Sequence, residues 1–87
     1  MSTYDDAVLA KDKFKEEYWK KAPDKYNAIA VGVDILFTLV EEEITDEVEV
    51  YFVKAYLFDI SQKEGLPLTI DGVEIRYISV IEKEENP

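Results

Sequence analysis

The stretch Asn27–Val40, with the sequence NAIAVGVDILFTLV, constrains the fold of this chain more than any other segment. Its odd-numbered positions from 29 to 39 are all apolar: Ile29, Val31, Val33, Ile35, Phe37 and Leu39. The even-numbered positions are small at first and then mixed. Because successive side chains of a strand point to opposite faces, this register predicts a long β-strand over residues 27–41, with its odd face buried.

Gly32 and Asp34 interrupt this pattern. Glycine in a strand marks a bulge or a close approach, and aspartate is disfavoured there. A hairpin turning at Val33–Asp34 is one alternative, although β-branched valine resists the positive φ of tight turns. A helix capped by Asp34 and running to Glu43 is another, although β-branched residues in its first turns disfavour it. We predict a strand, with a bulge near Gly32 as one way to accommodate the glycine.

An amphipathic helix is predicted ahead of this strand, over residues 3–22. Its apolar stripe follows steps of three and four: Tyr4, Ala7, Val8, Phe14, Tyr18 and Ala22. Thr3 and Asp6 have the spacing of a capping box. Pro23 ends the helix because it has no N–H and disfavours a helical residue before it. Trp19 lies beside the stripe, where it is predicted to flank the core.

The segments after the long strand are assigned from alternation and from turn residues. They are a strand at 47–57, a short helix at 59–64, a hairpin of 66–70 with 73–81, and a frayed tail at 82–87. The turn between the two long strands is predicted at Ile44–Asp46. Asp71–Gly72 is the clearest hairpin signal, since both residues can take the positive φ of a type I′ turn.

These elements predict one α+β domain spanning residues 1–87. Its N-terminal helix packs on a three- to four-stranded, mainly antiparallel sheet, with a short helix before the C-terminal hairpin. The stripe Ile29–Leu39 is expected to meet Ala7, Phe14 and Tyr18, since each element buries its apolar face against the other. Five tyrosines are expected at the rim of the core or at an interface: Tyr4, Tyr26, Tyr51, Tyr56 and Tyr77.

The chain of 87 residues carries 20 acidic and 10 basic side chains, a formal net charge of −10. Residues 1–25 contain six acids and six lysines, so the net charge lies entirely in residues 26–87. A surface this negative repels nucleic-acid backbones and anionic membranes and attracts basic proteins. We therefore expect a partner with a basic surface, no direct nucleic-acid binding and no membrane association. Acidity that only keeps the domain soluble is the alternative.

Composition also bears on location and catalysis. The N-terminal sequence MSTYDDAVLA does not resemble a signal peptide, and cysteine is absent, which predicts a cytoplasmic protein without disulfides. Histidine is absent too, so Ser-His-Asp and Cys-His catalysis are excluded. No phosphate-binding loop or dinucleotide fingerprint occurs. We expect no enzyme activity and no cofactor.

The segment EEEITDEVE, residues 41–49, is the most acidic part of the chain. Its carboxylates are the candidate partner-binding residues: Glu41, Glu42, Glu43, Asp46, Glu47 and Glu49. Two alternatives are a weak Ca²⁺ or Mg²⁺ site made from Glu43, Asp46 and Glu47, and a solvated turn whose charges protect the sheet edge.

Three short motifs occur in the order AVGVD (30–34), DEVEVYFVKA (46–55) and LPLTIDGVEI (66–75). Together they resemble a small module of bacterial proteins that sometimes precedes trypsin-like protease domains. That module has an AVGVG strand, an ELAIVVYV-like strand and an IPxxIDGVPVxV segment. The resemblance spans residues 10–81, with Asp34 at the second glycine and Glu74 at the proline after IDGV. It implies the fold, and the module contributes no catalytic residues.

A non-catalytic protein-interaction domain is the function that these features favour. A small inhibitor or nucleic-acid mimic, of the immunity or phage-antagonist type, is one alternative, with its carboxylates in place of phosphates. A structural homo-oligomer, such as a homodimer formed through the second apolar face of the strands, is another.

Overall fold

The computed structural model describes residues 2–80, and it begins with a capped helix. Helix α1, Tyr4–Phe14, is preceded by Thr3, whose hydroxyl accepts from the Asp6 N–H at 3.2 Å. The Thr3 N–H donates in return to the Asp6 carboxylate at 3.2 Å. This reciprocal pair satisfies two free N–H groups of the first turn and confirms the predicted capping box.

The end of the helix differs from the prediction. One turn of π-helix, Lys15–Trp19, follows α1, and the Lys20 N–H donates to the Lys15 carbonyl at 3.0 Å. A π turn is wider than an α turn, which changes the direction of the side chains that follow. Tyr18 contacts Phe14, and Trp19 stacks on Tyr26 with ring centroids 5.5 Å apart. Trp19 therefore flanks the core as predicted, but α-helix does not extend over residues 3–22.

The sheet has four strands in the order β1-β2-β4-β3. Their bounds are Tyr26–Val40 for β1, Glu43–Leu57 for β2, Thr69–Ile70 for β3 and Val73–Ser79 for β4. β1 pairs antiparallel with β2, β2 parallel with β4, and β3 antiparallel with β4. A helix on a mixed four-stranded sheet confirms the α+β prediction. The parallel contact arises because the connection from β2 crosses over before β4 begins.

That connection contains the short helix expected at 59–64, present as the 3₁₀ turn Ile60–Lys63. The Asp59 carboxylate caps it by accepting from the Ser61 N–H at 3.0 Å. Gly65 follows with a φ of 81°, a conformation that favours glycine. The Asp71–Gly72 turn has φ values of 50° and 81°, as predicted. The predicted end of the last strand at Ile81 and the tail 82–87 lie outside the described residues.

The turn between the two long strands is not at Ile44–Asp46. It is Glu41–Glu42, with φ values of 53° and 67°, and pairing resumes at Val40 opposite Glu43. This turn carries none of the glycine or asparagine that announces a two-residue hairpin, so the prediction missed it. The helix capped by Asp34 and the hairpin at Val33–Asp34 are wrong, because β1 is continuous through both segments.

Gly32 lies in regular pairing opposite Phe52, so the bulge considered there is absent. The register shifts instead occur near the two ends of β1, between Tyr26 and Ala28 and between Thr38 and Leu39. The second shift leaves Thr45 as the extra residue of β2, and its hydroxyl donates to the Thr38 carbonyl at 3.1 Å. A bulge at this position increases the local twist of the hairpin.

The core lies between α1 and one half of the sheet. Its buried residues come from the helix and three strands: Ala7, Ala10, Phe14, Tyr26, Val53, Ala55, Leu57, Val73 and Ile75. Ile29 and Val31 pack against this cluster, but Val33, Ile35, Phe37 and Leu39 are exposed by 45% to 63%. The predicted burial of the whole stripe is therefore wrong.

The different lengths of α1 and β1 explain why the outer half of the stripe is exposed. The 11 residues of α1 span about 16 Å. The 15 residues of β1 span about 50 Å. The helix therefore cannot cover the strand to its end, and the far half of the hairpin extends past it. The longest dimension of the molecule is accordingly 48 Å.

Candidate functional site

The projecting half of the β1–β2 hairpin, residues 33–40 and 43–50, is the candidate site, and we call it the arm. β1 is the edge strand of the sheet over its whole length. β4 pairs with β2 only from Val53 to Leu57, and the Ser2 carbonyl accepts from the Tyr51 N–H at 3.1 Å. Within residues 2–80 the arm is thus a two-stranded ribbon with two free edges. Such a ribbon is only marginally stable by itself in water.

The β1 strand of the arm carries large apolar side chains on both of its faces, with Asp34 and Thr38 among them on the even-numbered face. Its exposed large hydrophobic residues, together with one from β2, are Val33, Ile35, Leu36, Phe37, Leu39, Val40 and Ile44. Each exposes about half of its surface. Exposed large hydrophobic residues gathered on one projecting element mark an interaction surface or an aggregation hazard in a soluble protein.

The β2 strand of the arm is acidic. Glu49 lies opposite Ile35, and Glu47 lies opposite Phe37. Directly opposed residues of an antiparallel pair share a face, so an apolar row on β1 runs beside an acidic row on β2. The two edges of the ribbon therefore differ in character.

The structure places the six predicted site residues along the arm, from the turn to Glu49 near its base, and all six are exposed. Glu41 and Glu42 form the turn, and the other four follow along β2. The Tyr51 hydroxyl donates to the Glu49 carboxylate, which raises the pKa of Tyr51. No lysine or arginine in the described part of the chain forms an ion pair with the six. Their charge is therefore available to a partner.

The metal-site alternative finds no support in this geometry. Glu43 and Asp46 lie opposite Val40 and Thr38, on one face of the ribbon. Glu47 lies opposite Phe37, on the other face. No group of three potential ligands is gathered at a metal-binding distance anywhere in residues 2–80.

A second constellation, which sequence reasoning missed, lies where the arm meets the body, on the sheet face opposite α1. The Arg76 guanidinium stacks over the Phe52 ring at 3.7 Å. It also forms an ion pair with Asp34 and donates to the Glu74 carboxylate at 3.0 Å and 3.1 Å. The Phe52 ring in turn lies against Gly32. These contacts tie β1, β2 and β4 together at the base of the arm.

Arg76 determines the protonation of Asp34. The hydrogen bonds from its guanidinium hold the pKa of Asp34 below the ordinary value, and the two carboxylates raise the pKa of Arg76. A carboxylate with a lowered folded-state pKa stabilises the fold above its unfolded-state pKa, about 3.9. That contribution disappears as the pH falls through the folded-state pKa.

Asp34→Asn is therefore expected to destabilise the protein at pH 7 and to lose this effect in acid. Urea unfolding of wild type and variant at pH 7 and at about pH 2.5 measures the difference. We expect the difference between the two proteins to be smaller at the lower pH, because the contribution of the Asp34 charge declines as the pH falls from the unfolded-state pKa towards the lowered folded-state pKa. A difference that does not change with pH would contradict a role for this charge.

The five tyrosines do not behave alike. Tyr26 belongs to the core, and burial raises its pKa. Tyr77 is half-buried, its hydroxyl donates to the Pro67 carbonyl at 2.6 Å, and burial raises its pKa strongly. Tyr4 and Tyr51 meet edge to face at 5.6 Å near the base of the arm. Tyr26 and Tyr77 are therefore packing residues.

An open depression of about 610 Å³ lies beside β4 and the 3₁₀ turn. Its wall includes Leu66, Leu68 and Ile78, with Glu74 and Arg76 on one side. Those two charges already bind each other, and Lys63 and Glu64 also line the depression. The depression thus combines apolar surface with charged residues at its border.

Comparison with family models, with curated proteins and with solved structures finds no match for this chain. The resemblance to the bacterial module that precedes protease domains therefore stays a prediction. Within residues 2–80, no helix is long and apolar enough to cross a membrane.

Proposed function

We propose that this protein is a non-catalytic interaction domain that binds a basic surface of another protein with the acidic end of its arm. The observation that supports this most is the display of six exposed carboxylates on a ribbon that extends past the body. A solvated turn needs no such extension.

The expected binding is electrostatic in character. Single exposed ion pairs contribute little, about 0–1 kcal/mol each. A group of like charges acts mainly by attracting an oppositely charged partner and accelerating association. Because the charges are in water, salt screens them within about 8–10 Å at ordinary ionic strength. Binding should therefore weaken steeply as salt is added.

Neutralising the acidic end tests this proposal. The variant carries Glu42→Gln, Glu43→Gln, Asp46→Asn and Glu47→Gln. A matched control carries Asp12→Asn, Glu17→Gln, Asp24→Asn and Glu64→Gln, four exposed acids of the body. Both sets remove four negative charges, so the net charge changes equally. Immobilised proteins are incubated with cell extract at low salt, and the retained proteins are compared at high salt.

We expect wild type and control to retain the same partner in a salt-sensitive manner, and the arm variant to lose at least about nine-tenths of it. Equal retention by the arm variant would contradict the proposal. Adding duplex DNA separates the nucleic-acid mimic from other interaction domains. Only a partner that binds nucleic acid through the same surface will be displaced by the duplex.

A further inference from the structure

The free edge of β1 lacks the features that normally prevent edge-to-edge pairing. Soluble proteins protect long edge strands with lysine, proline, bulges or a covering element. β1 contains no lysine, arginine or proline, and its own bulge near Asn27 lies at the end remote from the arm. The bulge inside the arm has its extra residue, Thr45, on β2 and not on the free edge. The only charged residue of β1, Asp34, is paired with Arg76. The edge is long, nearly neutral and apolar.

The opposite edge of the arm is unsuited to the same contact. Glu43, Asp46, Glu47 and Glu49 lie along β2, so two such edges would place like charges side by side. A basic partner, attracted to these acids, leaves the β1 edge open. The occupant of β1 must instead be an apolar strand with few acids, and β1 itself has this character.

We propose that a second copy of this chain adds its β1 antiparallel to the β1 of the first, around a two-fold axis near Leu36. This contact is isologous and closes as a dimer, because each copy uses the same edge. The backbone groups of both edges then find partners, and the two sheets become one.

The sequence of β1 favours this register over those centred on Asp34 and Thr38. With Leu36 on the axis, Val33 lies opposite the second copy's Leu39, and Ile35 opposite its Phe37. Asp34 lies opposite Thr38, so no acid opposes another. An axis at Asp34 would place two aspartates together, and one at Thr38 would place Asp34 opposite Glu42.

Charge supports the same arrangement at its two ends. The turn of one copy reaches the neighbourhood of Ala30 in the other. Lys54 is the cross-strand neighbour of Ala30, and it lies over the Tyr56 ring at 5.8 Å. A cation therefore lies near the position that the second copy's Glu42 reaches. The acidic rows on β2 remain on the two outer edges of the dimer, where they do not meet.

Disulfide trapping tests the contact directly, because the chain has no cysteine of its own. Single variants Ile35→Cys, Leu36→Cys and Phe37→Cys are oxidised under mild conditions beside Glu47→Cys, which lies on the other edge of the arm. We expect covalent dimers to form at one or more of positions 35–37, at least about tenfold faster than at 47. Comparable rates at all four positions, or faster trapping at 47, would overturn the proposal.

Sedimentation equilibrium provides a second measurement that needs no cysteine. Wild type is expected to approach twice the 10.1 kDa mass of the chain as its concentration rises. The double variant Ile35→Lys, Phe37→Lys should weaken association at least about tenfold, because the second copy's edge would bring like charges together. Trp19 fluorescence checks that the body is folded, since this residue stacks on Tyr26. A wild type that stays monomeric at about 1 mM would overturn the proposal.

The dimer and the binding of a basic protein can fail separately. Neutralising Glu42, Glu43, Asp46 and Glu47 should leave trapping at positions 35–37 in place. Leu36 lies opposite Val48, and Leu36→Glu would bring two carboxylates together at the axis of the dimer, so this variant should lose the dimer and still retain the basic partner. A dimer that survives without partner binding, or the reverse, shows which of the two proposals is wrong.

Discussion

Replacing Phe14 with alanine is expected to lower the free energy of unfolding by about 3–5 kcal/mol. The Phe14 side chain is fully buried and contacts the rings of Tyr18, Tyr26 and Tyr77 at centroid distances of 5.1, 5.5 and 6.2 Å. Its removal leaves a cavity in the one place where helix and strands meet. Small domains have only about 5–15 kcal/mol in total, so much of the population should unfold. Urea titration monitored by Trp19 fluorescence measures the loss.

Phe37→Ala is the matched control, because it removes the same side chain from the arm. Phe37 is 53% exposed, and we expect a loss below about 1 kcal/mol in dilute, monomeric protein. The pair also decides between the sequence-based prediction, in which both phenylalanines belong to the core, and the observed fold. Equal losses for the two variants would show that the arm packs against the body.

Gly32→Ala is expected to destabilise the protein by about 1–3 kcal/mol, by overpacking. A Cβ at this position would lie 2.6 Å from Cζ and 2.8 Å from Cε2 of the Phe52 ring. The ring cannot move away freely, because Arg76 stacks on it at 3.7 Å. The sign of this change in the free energy of unfolding is informative, because replacing glycine with alanine inside a strand ordinarily stabilises the protein.

A double-mutant cycle with Phe52→Ala isolates this contact. In that background the added methyl group has space, so Gly32→Ala should become neutral or stabilising. The interaction energy between the two positions should reach about 0.5–3 kcal/mol. A cost for Gly32→Ala that persists without the ring would indicate that the backbone, and not Phe52, requires glycine.

The parts of the fold that the sequence predicted correctly depend on short-range signals. The capping box needs only Thr3 and Asp6, and the C-terminal turn needs only Asp71 and Gly72. The parts that it missed depend on long-range contacts. Nothing in the spacing of Asp34 and Arg76 announces their ion pair, because it follows from the parallel contact of β2 with β4. The close approach at Gly32 likewise required the position of Phe52.

The candidate site was also predicted only in part, because local signals can be read from the sequence and long-range contacts cannot. A run of carboxylates cannot be buried without partners, so their exposure follows from composition alone. The apolar stripe of β1 was more ambiguous, because hydrophobic alternation indicates that a face needs covering and does not indicate what covers it. Only the length of α1 in the structure separates Ile29 and Val31, which the helix covers, from Phe37 and Leu39, which it does not.

The turn at Glu41–Glu42 bears on the order in which the protein folds. Two glutamates with positive φ, followed directly by a third glutamate, cannot readily nucleate a hairpin. Pairing is better started at the other end, where Ile29 and Val31 meet Ala55 and Val53 beneath the helix. The rest of the hairpin is then a longer loop, but its closure adds little to the entropic cost, because that cost grows only with the logarithm of loop length. We therefore expect the hairpin to close from its base outward, so that its tip is the last part to form and the first to open.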